Sequence, residues 1–120
     1  MKIGITAQGK QLESLVDPRF GRAKWFAIID TETGSQEFVD NSQNLGAAQG
    51  AGIQAASNVA RLGVQAVVTG NVGPKAFATL NAAGIKVYLG ASGTIQEALN
   101  QFTAGTLELA QQANVGGHWV

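Results

Sequence analysis

Apolar and polar residues along the chain change period near its middle. Ile3 and Ile5 with their neighbours predict a short first strand that stops at the turn-like Gln8-Gly9-Lys10. Residues 11–24 show no regular period and carry the breakers Asp17-Pro18 and Phe20-Gly21. Trp25-Phe26-Ala27-Ile28-Ile29-Asp30 is nearly all apolar, as expected of a buried strand. Thr33-Gly34 then turns the chain into a third strand over 36–41, whose Glu37 and Asp40 place it at a sheet edge.

Beyond this point the spacing becomes helical. Residues 50–62 predict a helix with Ile53, Ala56 and Ala60 on its buried face and Gly63 as its stop. Gln65–Thr69 reads as a strand. Pro74 suits a first helical position, Ala76, Phe77 and Leu80 continue that helix, and Gly84 closes it. Ile85–Leu89 is the next strand. Thr94 and Glu97 have capping-box spacing, Ile95, Ala98, Leu99 and Phe102 make an apolar stripe, and Gly105 ends the last helix.

The resulting order is β-β-β-α-β-α-β-α. Alternation in the second half argues for parallel strands joined by helical crossovers, and the first half supplies an antiparallel hairpin. The expectation is an α/β protein with a mixed five-stranded sheet, strand order 3-2-1-4-5, and helices on both faces. Residues 1–105 form one domain and 106–120 a C-terminal tail. There is no linker, repeat or charge run.

Composition narrows the chemistry. The 120 residues include no cysteine, which excludes disulfides, thiolate metal sites and thiol nucleophiles. Eight basic residues balance eight acidic ones, so generic nucleic-acid binding, which rests on phosphate neutralisation, is disfavoured. No apolar run is long enough to span a membrane, and Met1–Ile5 lacks the long apolar core of a signal peptide, so a cytoplasmic location is the expectation. The spacing of a phosphate-binding loop is absent, and no nucleophile-elbow pattern surrounds Ser14, Ser35, Ser42, Ser57 or Ser92. The chain reads as a binding protein and not an enzyme.

The neutral total hides a segregation. No Asp or Glu lies between Asn41 and Gln96, while that stretch carries Arg61, Lys75 and Lys86 and the first loop adds Arg19, Arg22 and Lys24. In an open α/β sheet, ligands bind beyond the carboxyl ends of the parallel strands. The first loop, the Gly70–Pro74 turn and the Gly90–Thr94 turn should gather there, the last two feeding helix N-termini with N–H groups to offer an anion. The sequence thus points to an anion site built from Arg19-Phe20-Gly21-Arg22, Asn71, Gly73 and Lys75. Gly116-Gly117-His118-Trp119 holds the only histidine; its imidazole is a candidate metal ligand, and Trp119 a candidate lid over the site.

Several of these segments resemble one known family. They are Lys2-Ile3-Gly4-Ile5-Thr6, Asp17-Pro18-Arg19-Phe20-Gly21-Arg22-Ala23, Gly50-Ala51-Gly52-Ile53 and Val67-Val68-Thr69-Gly70-Asn71-Val72-Gly73-Pro74-Lys75-Ala76. Gly84–Tyr88 and Thr94–Ala98 complete the set. Together they resemble the dinitrogenase iron–molybdenum cofactor biosynthesis accessory family over residues 1–105. The resemblance implies a ribonuclease-H-like fold without nuclease carboxylates, and binding of metal–sulfur clusters or their precursors. Short cysteine-free members imply a molybdenum–copper sulfide cluster held without covalent protein ligands, with an iron–molybdenum-type cluster as the alternative. Many members carry histidine just before the glycine that opens the first helix; here Gln49 stands there and can only hydrogen-bond a cluster sulfide.

The expectation is therefore a carrier for an anionic molybdenum–copper sulfide cluster, formed from thiomolybdate plus copper. Arg19, Arg22 and Lys75 would neutralise it, Gly73 and neighbouring N–H groups would donate to its sulfides, and Gln49, Asn71, His118 and Trp119 would close the site. The implied partner is a cofactor-assembly protein or ATPase. The competing expectation is a metal-free interaction or regulatory module that binds a partner protein.

Overall fold

The computed structural model describes residues 1–41 and 51–116. Its strands are β1 (Lys2–Ala7), β2 (Trp25–Asp30), β3 (Gln36–Asp40), β4 (Ala66–Val68), β5 (Lys86–Leu89) and β6 (Glu108–Leu109). The helices are α1 (Ala51–Arg61), α2 (Pro74–Ala82) and α3 (Ile95–Ala104). All strands join one sheet in the order β3-β2-β1-β4-β5-β6. β1, β4 and β5 run parallel, while β2, β3 and β6 each pair antiparallel with their neighbours.

The expected five-strand order is thus present, with one strand added beyond it. The segment after residue 105, expected as a tail, contributes β6, where Tyr88 faces Leu109 and Leu89 faces Glu108. A two-residue strand carries no periodic signal of its own; its place is set by the tertiary edge that β5 offers.

Alternation decides which side chains meet which helices, because successive strand residues point to opposite faces. Phe26 and Ile28 of β2, Val67 of β4, and Val87 and Leu89 of β5 pack with Ala55, Ala56 and Val59 of α1 and with Ala76 and Leu80 of α2. Ile3, Ile5 and Ala7 of β1, Ala27 and Ile29 of β2, and Ala66 and Val68 of β4 pack with Ile95 and Ala98 of α3. Helices therefore cover both faces, with α1 and α2 on one side and α3 on the other.

The α1 face differs from the expected one. Gly52, Ala55, Ala56 and Val59 are buried, while Ile53 is 37% exposed and Ala60 only partly buried. Both sets have helical spacing. The smaller set wins because α1 lies close against α2, where glycine and alanine permit near approach of backbones. The remaining helix signals hold. α3 has a complete capping box, with Glu97 N–H donating to Thr94 Oγ1 at 3.1 Å and Thr94 N–H donating to Glu97 Oε1 at 2.9 Å. Gly105 ends the helix with φ at 74°, in the left-handed conformation that glycine adopts without strain.

Candidate functional site

The first loop, between β1 and β2, is ordered by the sheet end that it covers. Thr6, at the end of β1, is fully buried. Its Oγ1 donates to the carbonyl of Asp17 at 2.7 Å, and Asp17 N–H donates back to the carbonyl of Thr6 at 2.9 Å. The Thr69 hydroxyl lies 2.9 Å from Thr6 Oγ1. A hydroxyl carries one proton, and the Asp17 carbonyl can only accept, so Thr69 supplies the proton of that second bond.

Val16, Phe20 and Ala23 are then buried as anchors. Phe20 is 1% exposed, and its ring centroid lies 5.5 Å from that of Phe26. This corrects the sequence expectation for Phe20: its ring belongs to the core on the α1 and α2 side and cannot face a ligand. Gly21 beside it is also buried. What the two residues do is hold Arg19 and Arg22 at the surface on either side.

The three expected segments do meet beyond the carboxyl ends of the parallel strands. Leu15 bridges to Thr94, and Arg19 bridges to Asn71. Gly70 is where the first loop approaches most closely. A Cβ placed there would lie 2.9 Å from Pro18 Cα and 3.0 Å from Pro18 O, so only glycine fits without displacing backbone.

The two helix N-termini, however, are not equivalent. At α3 the first loop itself takes the donors. Ile95 N–H donates to the carbonyl of Ser14 at 2.9 Å, Gln96 N–H to that of Leu12 at 3.1 Å, and Glu97 N–H to the Thr94 hydroxyl. The N–H groups expected there for an anion are therefore already satisfied. At α2 the N-cap is Gly73, which has no side chain to offer, and Pro74 follows it. Lys75 is exposed in the first turn of α2.

Asn71 is also used differently from the expectation. Its Nδ2 donates to the carbonyl of Pro18 at 3.0 Å, and its Oδ1 accepts from Asn114 Nδ2 at 2.9 Å. Both ends of the amide are engaged within the protein, so Asn71 joins the two loops to the C-terminal segment. Asn114 carries no local sequence signal, since nothing marks an asparagine in an irregular segment.

Arg19, Arg22 and Lys24 line one open cleft of ≈ 480 Å³ with Gln8 and Asp17. That volume is within the range of about 300–1,000 Å³ usual for small-ligand sites. Asp17 is buried and supplies the only carboxylate among the described lining residues. Its Oδ1 accepts from Arg19 N–H at 2.9 Å and lies 3.9 Å from Arg19 Nε. Burial pushes the Asp17 carboxyl above its ordinary range, against the pull of the Arg19 N–H and guanidinium. Lys10 lies near the same end, with Nζ 5.1 Å from the centre of the Trp25 ring. Lys75 does not line this cleft among the described residues. Gln49, His118 and Trp119 lie outside the described residues.

The donor set here suits an anion. Among the described residues, no group of three or more His, Cys, Asp or Glu is placed to hold a bare metal ion. No helix among the described residues is long and apolar enough to cross a membrane.

The arginines of the first loop and the Gly-Pro turn that opens α2 both lie within one family match. The protein belongs to the dinitrogenase iron-molybdenum cofactor family, which it matches over residues 1–105. It is similar to the apo form of the orange protein from Desulfovibrio gigas, with 43% identity over 95% of this chain and 96% of that one, and a TM-score of 0.92. It is also similar to a putative NifB protein from Thermotoga, with 40% identity over 97% of this chain and 98% of that one, and a TM-score of 0.84. An uncharacterized protein of Methanocaldococcus jannaschii is 34% identical over 111 residues, which is 90% of either chain. The family expected from the Phe20-Gly21-Arg22-Ala23 and Gly70–Ala76 segments is thus the family to which the chain belongs.

Proposed function

We infer that the protein is a carrier for an anionic metal–sulfide cluster of the molybdenum–copper type, held in the cleft of Arg19, Arg22 and Lys24. The observation that carries this reading is the charge of that cleft. Three cations and a single carboxylate line it, on a chain that is neutral overall and contains no cysteine. A protein without thiolates can still hold a metal if the cluster brings its own sulfur and the protein meets a negative surface with N–H donors and cations. Similarity to the orange protein and to a putative NifB protein supports the same cargo class. An iron–molybdenum-type cluster is the other cargo that the family description suggests.

The roles of the cleft residues follow from their position. Arg19 and Arg22 project on either side of the buried Phe20 and offer guanidinium N–H groups to sulfides. Lys24 adds a third cation to the cleft wall. Lys75 and the N–H groups after Gly73, on the neighbouring turn, extend the positive field without lining the cleft. His118 is the candidate copper ligand, Gln49 a hydrogen-bond donor to a sulfide, and Trp119 an apolar cover. The protein binds and hands on its cargo, and no catalytic group is assigned to it. A partner assembly protein or ATPase would receive or supply the cluster.

The reading is tested by mixing protein with tetrathiomolybdate and copper under anaerobic conditions at rising salt. Colour that elutes with the protein, and falls as salt screens the cleft, is the expected result. Colour retained equally by an Arg19→Ala/Arg22→Ala variant would place the cargo elsewhere.

A further inference from the structure

We propose that Asn114 is a positioning residue for the arginine loop, acting through Asn71, so that the C-terminal segment and the cationic cleft form one coupled unit. This rests on the carrier reading for its functional consequence, but its geometry stands independently.

The coupling is a chain of hydrogen bonds whose direction is set at both ends by backbone. Val72 N–H can only donate, and it donates to Asn114 Oδ1 at 2.8 Å. That fixes which end of the Asn114 amide is oxygen, and leaves its Nδ2 to donate to Asn71 Oδ1 at 2.9 Å. The Asn71 Nδ2 is thereby aimed at the carbonyl of Pro18, which can only accept, at 3.0 Å. Each bond along the path pairs a donor with an acceptor, and neither amide can turn over without breaking two bonds. Asn114 N–H also donates to the carbonyl of Val72 at 3.2 Å, so the C-terminal segment is held by both backbone and side chain.

The path ends where the cations begin. Pro18 precedes Arg19, Arg19 bridges to Asn71, and Phe20 N–H donates to the carbonyl of Asn71 at 3.3 Å. A residue near the C-terminus thus holds the base of the loop that presents Arg19 and Arg22. Coupling of this kind is reciprocal: whatever orders the loop also favours the docked C-terminal segment, and whatever lifts that segment weakens the loop's grip on an anion. A partner that pulls on the C-terminal segment would promote release.

The test compares Asn114→Ala, Asn71→Ala and the double variant by residue-resolved amide exchange on the protein without cargo. Each single variant should speed exchange at the Phe20 amide by about tenfold, the scale expected when one hydrogen bond of a local path is lost, while Ile5 and Val67 amides stay protected. The double variant should be no faster than the single ones, because breaking one link already opens the path. Asn114→Asp, which keeps the acceptor for Val72 N–H but loses the donor to Asn71, should behave like Asn114→Ala. Loading with tetrathiomolybdate and copper, measured well below the melting temperature, should fall in parallel. Unchanged Phe20 exchange in folded Asn114→Ala and Asn114→Asp proteins, or effects that multiply in the double variant, would overturn the proposal. Wild-type protein that takes up no metal would overturn the carrier reading instead and leave the exchange result standing.

Discussion

Thr6 Oγ1 donates to the carbonyl oxygen of Asp17 across 2.7 Å, and Thr6 is fully buried. This bond ties β1, near its end, to the part of the first loop that leads into Arg19. It places the position of the cleft under the control of the core. Thr6→Val keeps the shape and removes the donor, leaving the Asp17 carbonyl and the Thr69 hydroxyl short of a partner. The expected cost is about 1–3 kcal/mol, the penalty for unsatisfied buried polar groups. Urea unfolding measures it directly, and an unchanged midpoint would show that the carbonyl finds another donor.

Gly70→Ala tests the close approach of the two loops. The new Cβ would press on Pro18 backbone and not on a flexible side chain. A loss of about 1–3 kcal/mol is expected, as for other overpacked sites, together with weaker cargo retention, since Pro18 leads into Arg19. Thermal melting and a loading assay on the same sample check both parts. A stable variant that retains cargo normally would mean that the loop shifts without consequence.

The buried face of α1 predicts a contrast between two substitutions on one helix. Val59 is fully buried, whereas Ile53 is 37% exposed. Val59→Ala should cost about 1–3 kcal/mol through lost burial and a cavity. Ile53→Ser should change stability by less than about 0.5 kcal/mol, as is usual for surface positions. Denaturation midpoints of the two variants decide it; the reverse order would restore the face anticipated from hydrophobicity alone.

Asp17 gives a pH dependence with a definite sign. Its carboxyl is raised in the folded protein, so folding favours the protonated form, and stability from this group is lost as pH rises through its folded titration. Asp30 has the opposite sign. The N–H groups of Glu32 and Thr33 hold its carboxyl below the ordinary range, so its contribution is present at neutral pH and is lost on acidification. Asp17→Asn keeps an oxygen for Arg19 N–H and removes the buried charge. The variant should be at least as stable as wild type at neutral pH, with the difference shrinking as pH falls toward about 4, near the ordinary aspartate value. Unfolding midpoints across that range check this, and a variant weaker at neutral pH would show that the ion pair with Arg19 outweighs burial.

Much of the fold was legible because it rests on local period. The alternation of β1, the apolar run of β2 and the Thr94–Glu97 spacing each specify their element without help from distant residues. The gathering of loops at one sheet end followed from topology. What local sequence does not specify depends on tertiary partners. Ile53 outranks Ala55 in hydrophobicity, yet close helix packing selected the smaller face. β6 exists because β5 leaves an open edge.

At the site, the cationic composition of the first loop was visible in the sequence, but the division of labour was not. Phe20 turned inward because Phe26 and the α1–α2 core accept its ring. Asn71 was drawn into the protein by Pro18 and Asn114. The N–H groups of α3 were satisfied by Leu12 and Ser14. Each of these outcomes joins residues far apart in the chain, a distance that spacing rules do not cross.

On the proposed function, Arg19 and Arg22 hold a metal–sulfide anion. This is tested most directly by elemental analysis of wild-type and Arg19→Ala/Arg22→Ala protein after anaerobic loading with tetrathiomolybdate and copper and removal of unbound metal. The expected result is molybdenum and copper in fixed proportion to wild-type chain, and loss of both from the equally folded double variant. Folded wild-type protein that elutes with neither metal would contradict it.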